Sequence, residues 1–498
     1  MRQSARLRSP GELLEHLEGR LLLGADPLPF TYYYPEGFSH DQINEFVSIS
    51  NPNESAVSFE LHARYETGVR DALIESGTIG AGSRGGVTVN RGTLERKVRP
   101  DTPYAFVLKS SAPVGALLAH YDFGTAVGEA FTDVTSTQWN WGEGFKDPNW
   151  TRDFVLFYNP NDQATLVTLT VYTDDGQTID LSFGVEGQRR GGFNLNDELG
   201  VPTGVFGMKL TAGVPVVAAL SHYEIVTQRG FGAVGTAGSG ATAGVIPGIE
   251  FDNDGDPTNG TGGTNFNSPF NVEMVNGQPT SFPANAYLTV LNTSNQTATV
   301  RFTFGNQDRQ TLVNPVRTIT VAPNSRGGLS VRELGFPLDR RFGVIYTSNA
   351  PVTVTAAMYE GRDAVGMQAA DSAATRWDFG EGYMDDTRAG AAITEDLYVF
   401  NPTAFAMPIT IEFFFNDGTV RTIEEELHPV EIRTYSMHQL TEILGHPGTE
   451  EFFSIRVTAG TPMVATFEHW DRDLGGGFMS AGTPGGTVVP LHTVLVLN

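Results

Sequence analysis

The chain has no cysteine among its 498 residues. Disulfide staples, thiolate metal sites and cysteine nucleophiles are therefore excluded. Basic residues are scarce as well: 32 Lys and Arg against 57 Asp and Glu give a formal net charge of −25. So acidic a chain argues against nucleic acid and anionic membrane as partners, because both require a basic face. No stretch reaches the 18 or so apolar residues of a membrane helix, so no membrane span is expected. Catalytic signatures are missing too. There is no G-x-S-x-G, H-E-x-x-H or Walker A motif, and no glycine fingerprint opening a helix. The expectation is a protein without catalytic residues.

What the sequence does contain is one phrase written four times. "SAPVGALLAHYDF", "TAGVPVVAALSHYEI", "TSNAPVTVTAAMYEG" and "TAGTPMVATFEHWDR" share an eight-residue step from a proline (Pro113, Pro215, Pro351, Pro462) to a ring (Tyr121, Tyr223, Tyr359, Trp470). Three further landmarks precede each copy. The first is an aromatic–Glu–Gly opening, "YYYPEGF", "WNWGEGF" and "WDFGEGY", which the third copy lacks. Next comes a strand ending in Asn51, Asn159, Asn292 or Asn401. Last is an arginine, Arg84, Arg190, Arg326 or Arg433, followed by Gly-Gly in three copies. The Asn-to-Arg gaps stay between 31 and 34 residues, so the copies are whole domains in register rather than short solenoid repeats.

Between landmarks the pattern is strand. Runs such as "DFVLFY" and "TLVTLTVYT" are β-branched or aromatic, and Asp175-Gly176 and Asp417-Gly418 are hairpin signals. The expected fold is all-β: four tandem antiparallel β-sandwich modules, jelly-roll or Ig-like, with short helical turns near 195–199, 331–335 and 437–444. The expected modules span 29–134, 135–245, 246–372 and 373–498, with an acidic, Gly- and Asn-rich insertion at 252–283. The Gly/Ala/Ser/Thr-rich stretches 229–244, 361–375 and 475–487 read as linkers or loosely paired edges. The modules accordingly read as independent beads. In the repeated phrase alternate residues share a face. Val114, Ala116 and Leu118, with their counterparts, form an apolar face for the core. Proline belongs at a strand's first residue because it has no N–H to donate. The ring is expected to cap one end of each sandwich.

Several constellations carry two readings each. His120, His222 and His469 stand two residues before an acid, and Met358 replaces them in the third copy. They read as metal or proton-shuttle groups, or as structural residues, with Met358 favouring the latter. The four arginines invite bridges to Glu36, Glu143 and Glu381 across a sandwich mouth, or capture of a ligand carboxylate. Asp252, Asp254 and Asp256 alternate as in calcium loops, but Pro257 and Gly263 stand where an EF-hand needs Gly and Glu. An irregular calcium loop and a solvated acidic turn both remain. Trp139, Trp141 and Trp377 form either a sugar-stacking platform or core, and their recurrence at module starts favours the core.

Residues 1–28 differ from the rest. Their segment Leu17-Glu18-Gly19-Arg20-Leu21-Leu22-Leu23 resembles the LEPR-XLL export segment of large bacterial proteins, with Gly19 where that pattern has proline. The order aromatic–Glu–Gly, strand–Asn-Pro, Arg-Gly-Gly, Pro-to-Tyr over roughly 30–475 resembles repeats of secreted and surface bacterial proteins. More distantly it is similar to the sensory-rhodopsin-transducer family, a small β-sandwich. These resemblances imply an exported, extracellular or cell-surface structural or adhesion protein, with other surface proteins or polysaccharide as partners. The alternative is a module protein that binds carbohydrate or another small ligand.

Overall fold

The computed structural model describes residues 28–251, 273–275, 278–281, 285–306, 315–334, 340–360, 363–385, 393–440, 443, 450–471 and 474–495. The N-terminal export-like segment and Asp252, Asp254 and Asp256 lie outside the described residues. Nearly every described element is a β-strand in an antiparallel sheet, with 3-10 turns at Arg332–Leu334, Met437–Gln439 and Leu491–Thr493.

The first module shows the plan. One sheet orders Phe30–Tyr34, Tyr104–Ser110, Val57–Tyr65 and Ala72–Ile79; the facing sheet orders Glu95–Arg96, Ser83–Arg91, Asn44–Asn51, Gly115–Asp122 and Thr125–Ala130. In the later modules, Tyr104–Ser110 and Gly115–Asp122 have become one long strand that crosses from sheet to sheet: Gly204–Glu224, Arg340–Glu360 and Glu450–Asp471. This corrects the expected place of the proline. Pro113 does precede a strand, but Pro215, Pro351 and Pro462 lie inside one, at the crossover where the edge pairing slips register and a ladder N–H is not needed.

The apolar face of the phrase is in the core as expected. Val114, Ala116 and Leu118, then Val216, Ala218 and Leu220, then Val352, Val354 and Ala356, then Met463, Ala465 and Phe467 are all buried. Each Val or Leu so placed contributes about 1.5–3 kcal/mol of hydrophobic stabilisation. The landmark asparagines act as clasps. Asn51 Nδ2 donates to the carbonyls of Ser55 (2.9 Å), Ile79 (3.1 Å) and Gly80 (2.6 Å), while its Oδ1 accepts from the Asn53 backbone. Asn159, Asn292 and Asn401 repeat the arrangement. In two modules the next asparagine ties the clasp to the crossover, Asn53 to Pro113 O and Asn161 to Pro215 O, both at 2.7 Å.

The bead-like expectation is overturned. Thr125–Ala130, Arg229–Val234, Asp363–Gln368 and Gly476–Ala481 lie against one another in the cyclic order first, second, third, fourth, first. The second and fourth also touch across the middle. The three stretches read as linkers thus supply three of the four central strands of a closed ring. Their glycines serve close approach: a Cβ on Gly128 would stand 2.6 Å from the Phe478 ring of the fourth module. Bonds close the ring as well, with Ser480 Oγ donating to Glu129 at 3.0 Å.

Three of the phrase's four rings face neighbours rather than capping a single sandwich. The Tyr121 hydroxyl meets His469 Nε2 at 3.2 Å, Tyr223 packs edge-on against Phe123 at 5.0 Å, and Tyr359 lies beneath the Arg229 guanidinium.

Candidate functional site

Three of the four modules carry a buried carboxylate directly across the strand pair from a histidine. Glu45 stands opposite His120, Asp153 opposite His222 and Glu395 opposite His469. In each case Nδ1 meets a carboxylate oxygen, at 2.9, 2.7 and 2.8 Å respectively. Burial works against a charged imidazole, yet the hydrogen bond and charge of the partner carboxylate hold His120 and His222 up at about 9. In the third module the same register pairs Ala286 with Met358, so acid and base are both replaced by apolar groups. A salt pair that costs desolvation is thus either kept whole or removed whole.

The opening glutamate and the landmark arginine meet between modules, one step around the ring. Arg326 of the third module donates from Nη2 to Glu143 Oε2 at 3.0 Å and from Nε to Gly142 O at 3.1 Å. Arg84 of the first does the same to Glu381 Oε2 at 2.9 Å and Gly380 O at 3.0 Å in the fourth. The sandwich-mouth bridge expected within one module is therefore a junction bridge. At the third-to-fourth junction the opening glutamate is missing. Arg433 turns back to Glu425 and Glu431 of its own module, while Gly248 packs on Tyr398 and Ile249 is buried in a core shared by both modules.

The first-to-second junction is different again. Arg190 has the same register position as Arg84 and Arg326, opposite the residue that precedes the landmark asparagine. Its Nη1 goes outward to Glu66 at 2.7 Å instead of closing on Glu36. Arg190 Nε and Glu36 Oε2 are both left buried without a hydrogen-bond partner. Between them lies a cavity of about 290 Å³, walled by Phe123, Phe154, Leu156, Phe193 and Tyr223, with His120 and Asp122 on its rim. Burial pushes the Glu36 carboxyl up to about 7, against the pull of His120 and Arg190.

Sequence explains why this junction differs from the two bridged ones. At the two bridged junctions the residue before the glutamate is Gly142 or Gly380, and the next module's strand comes close to it. A Cβ on Gly142 would stand 2.8 Å from Thr289 O. In the first module that position is Pro35, and the register position of Ser48 and Thr289 is filled by Leu156 in the second. Two bulky side chains stand where the others have a glycine and a small hydroxyl residue.

Other expected site residues fall elsewhere. Trp139, Trp141 and Trp377 are core residues, not a stacking platform. Their indole N–H groups donate to Val216 O, Ala233 O and Met463 O, and at most 4% of each residue is exposed. Glu381, Glu395 and His469 lie close enough together to hold a cation. Arg84 already neutralises Glu381, and Glu395 occupies the His469 Nδ1, so the set is closed by its own charges.

No protein-family model matches the chain, and no curated protein matches its sequence. Solved structures with a similar fold include Thermotoga maritima 1070, at 17% identity over 21% of this chain and 97% of that one, TM-score 0.20. The Anabaena sensory rhodopsin transducer is 23% identical over 18% of this chain and 82% of that one, TM-score 0.16. A tetra-tandem repeat from the extending region of a large adhesion protein is 11% identical over 91% and 96%, TM-score 0.10. At these values the likeness is one of β-fold and carries nothing about activity.

Proposed function

We propose that the chain is a non-catalytic binding protein whose ring of four β-sandwich modules holds a small ligand at the first junction. The observation that carries this reading is the open cavity with two unpartnered buried polar atoms, where the sister junctions are closed. An apolar pocket with a few convergent polar groups is the usual form of a small-ligand site. Exported location belongs to the same proposal and rests on the Leu17–Leu23 segment. The ring weighs against a spacer role, since modules folded back on one another give little reach.

The test is titration calorimetry of the intact chain against a panel of small acids, amines and sugars, beside Leu156→Trp, which fills the cavity. Binding by the wild type that is lost in the filled variant supports the proposal. Binding of equal strength in both overturns it.

A further inference from the structure

We propose that the ligand of the first junction is a small monocarboxylate with an apolar body, its carboxylate held between Arg190 Nε and the Glu36 carboxyl. This rests on the binding reading above and names its ligand class.

The argument begins with what the two orphaned groups can do. Arg190 Nε–H is a cationic donor with its outer nitrogen already committed to Glu66. Glu36 Oε2 is buried beside it and, when protonated, donates an O–H. Two donors converging on one space satisfy a ligand's two carboxylate oxygens, and charge-assisted bonds of this kind are the strong ones. The walls are mainly the side chains of Phe123, Phe154, Leu156, Phe193 and Tyr223, with Asp122 and Asn194 adding two polar groups, which suits an apolar body better than the many hydroxyls of a neutral polyol. An ammonium ligand would be drawn to Asp122 but would also face Arg190 and the His120 imidazolium, and it would leave the Arg190 Nε–H without an acceptor. The volume of about 290 Å³ is at the small end for ligand pockets, which admits a single ring or short branched chain.

The sister junctions show the same chemistry satisfied internally. There the arginine Nε and Nη2 take a carbonyl and the glutamate carboxylate of the neighbouring module. The ligand carboxylate at the first junction fills the role of that intermodule acceptor.

Uptake of the anion is coupled to a proton on Glu36. The charged groups facing Glu36 are His120 and Asp122 on its own module's Gly115–Asp122 strand, Glu45 on the adjacent strand, and Arg190 from the second module. Glu45 is neutralised by His120, and the phenols of Tyr34, Tyr104 and Tyr223 are pushed well above their ordinary range by burial and stay neutral. Glu36 is therefore the group that titrates near neutrality.

The probe is benzoate, compared by calorimetry with benzamide, benzylammonium and methyl glucoside on the intact chain. Benzoate is expected to bind at least tenfold more tightly than the other three. Its affinity should fall about tenfold per pH unit above pH 7, as expected for uptake of one proton. Glu36→Gln keeps a donor and should retain benzoate binding with a flat pH profile. Arg190→Met should weaken benzoate by thirtyfold or more. Glu66→Gln, outside the cavity, releases Arg190 and should tighten it severalfold. Preferred binding of benzylammonium or methyl glucoside, abolished by Leu156→Trp, would overturn the carboxylate class and leave the binding site standing. Benzoate binding indifferent to both Arg190→Met and Glu66→Gln overturns the assignment of Arg190. No binding by any probe defeats both readings.

Discussion

Arg84 and Glu381 are 297 residues apart in the chain and 2.9 Å apart in space. Their side chains are each only 12% exposed, so the pair is largely out of water. It closes the first module onto the fourth. Removing one partner of such a pair leaves a charge without compensation, which costs about 3–5 kcal/mol. Arg84→Met should therefore lower the urea midpoint of the whole chain in one transition, and Arg84→Met/Glu381→Gln should recover most of the loss. Recovery to wild-type stability in the single variant would show the pair to be idle.

The buried histidines set a pH dependence with a definite sign. His120 and His222 have folded values of about 9 against an ordinary 6.5, so the folded chain holds their protons more tightly than the unfolded chain. Their contribution is complete below pH 6.5 and is lost as pH rises through 9. Glu36 and Glu129, raised by burial from 4.5 to about 7, act in the same direction over the window from 4.5 to 7. Urea midpoints should fall steadily from pH 5 to pH 9. The double variant Asp153→Asn/His222→Gln should flatten the upper part of that fall.

The asparagine clasp is a structural device and should behave as one. Asn159 is fully buried, donates to Gln163 O and Glu186 O, and accepts from Asn161. Asn159→Ala leaves those partners buried and unpaired, at a cost of about 3 kcal/mol in chemical unfolding. Asn159→Asp, which accepts but does not donate when ionised, should cost at least as much.

The open junction should close when its props are removed. Pro35→Gly/Leu156→Thr restores the residue types found at the bridged second-to-third junction. Arg190 is then expected to leave Glu66 and close on Glu36, drawing that carboxyl down from about 7. Carboxyl chemical shifts followed by NMR through a pH titration check this, and an unchanged Glu36 titration would contradict it.

Much of the single module was legible because strand periodicity and the fixed spacing of Asn, Arg and Pro are local signals. The apolar face Val216, Ala218, Leu220 follows from alternation alone. The second face of the same strand was the trap. Ser221, Thr355 and Glu468 look like solvent-facing residues, yet all three are buried, and Thr355 is covered by another module, its Oγ1 accepting from the Gly142 N–H of the second. Nothing in a strand's own pattern reports that cover. The glycine-rich stretches misled for a related reason, since glycine admits both flexibility and close approach, and only the neighbour decides which.

The partner carboxylates of the histidines were missed although a signal was present. Glu45, Asp153 and Glu395 each stand six residues before the landmark asparagine, and Ala286 takes that place in the copy where Met358 replaces histidine. The paired loss marks a contact. Pro35, likewise, is the one departure from glycine in the aromatic–x–Glu–Gly openings, and it marks the junction that differs.

Small-angle scattering from the intact chain tests the closed ring most directly. A compact body of this length has a radius of gyration of about 23 Å, and four modules strung in line would exceed roughly 35 Å. The ring predicts a value near the lower figure, unchanged by moderate salt. A value near the upper figure, with an elongated pair-distance distribution, would contradict it.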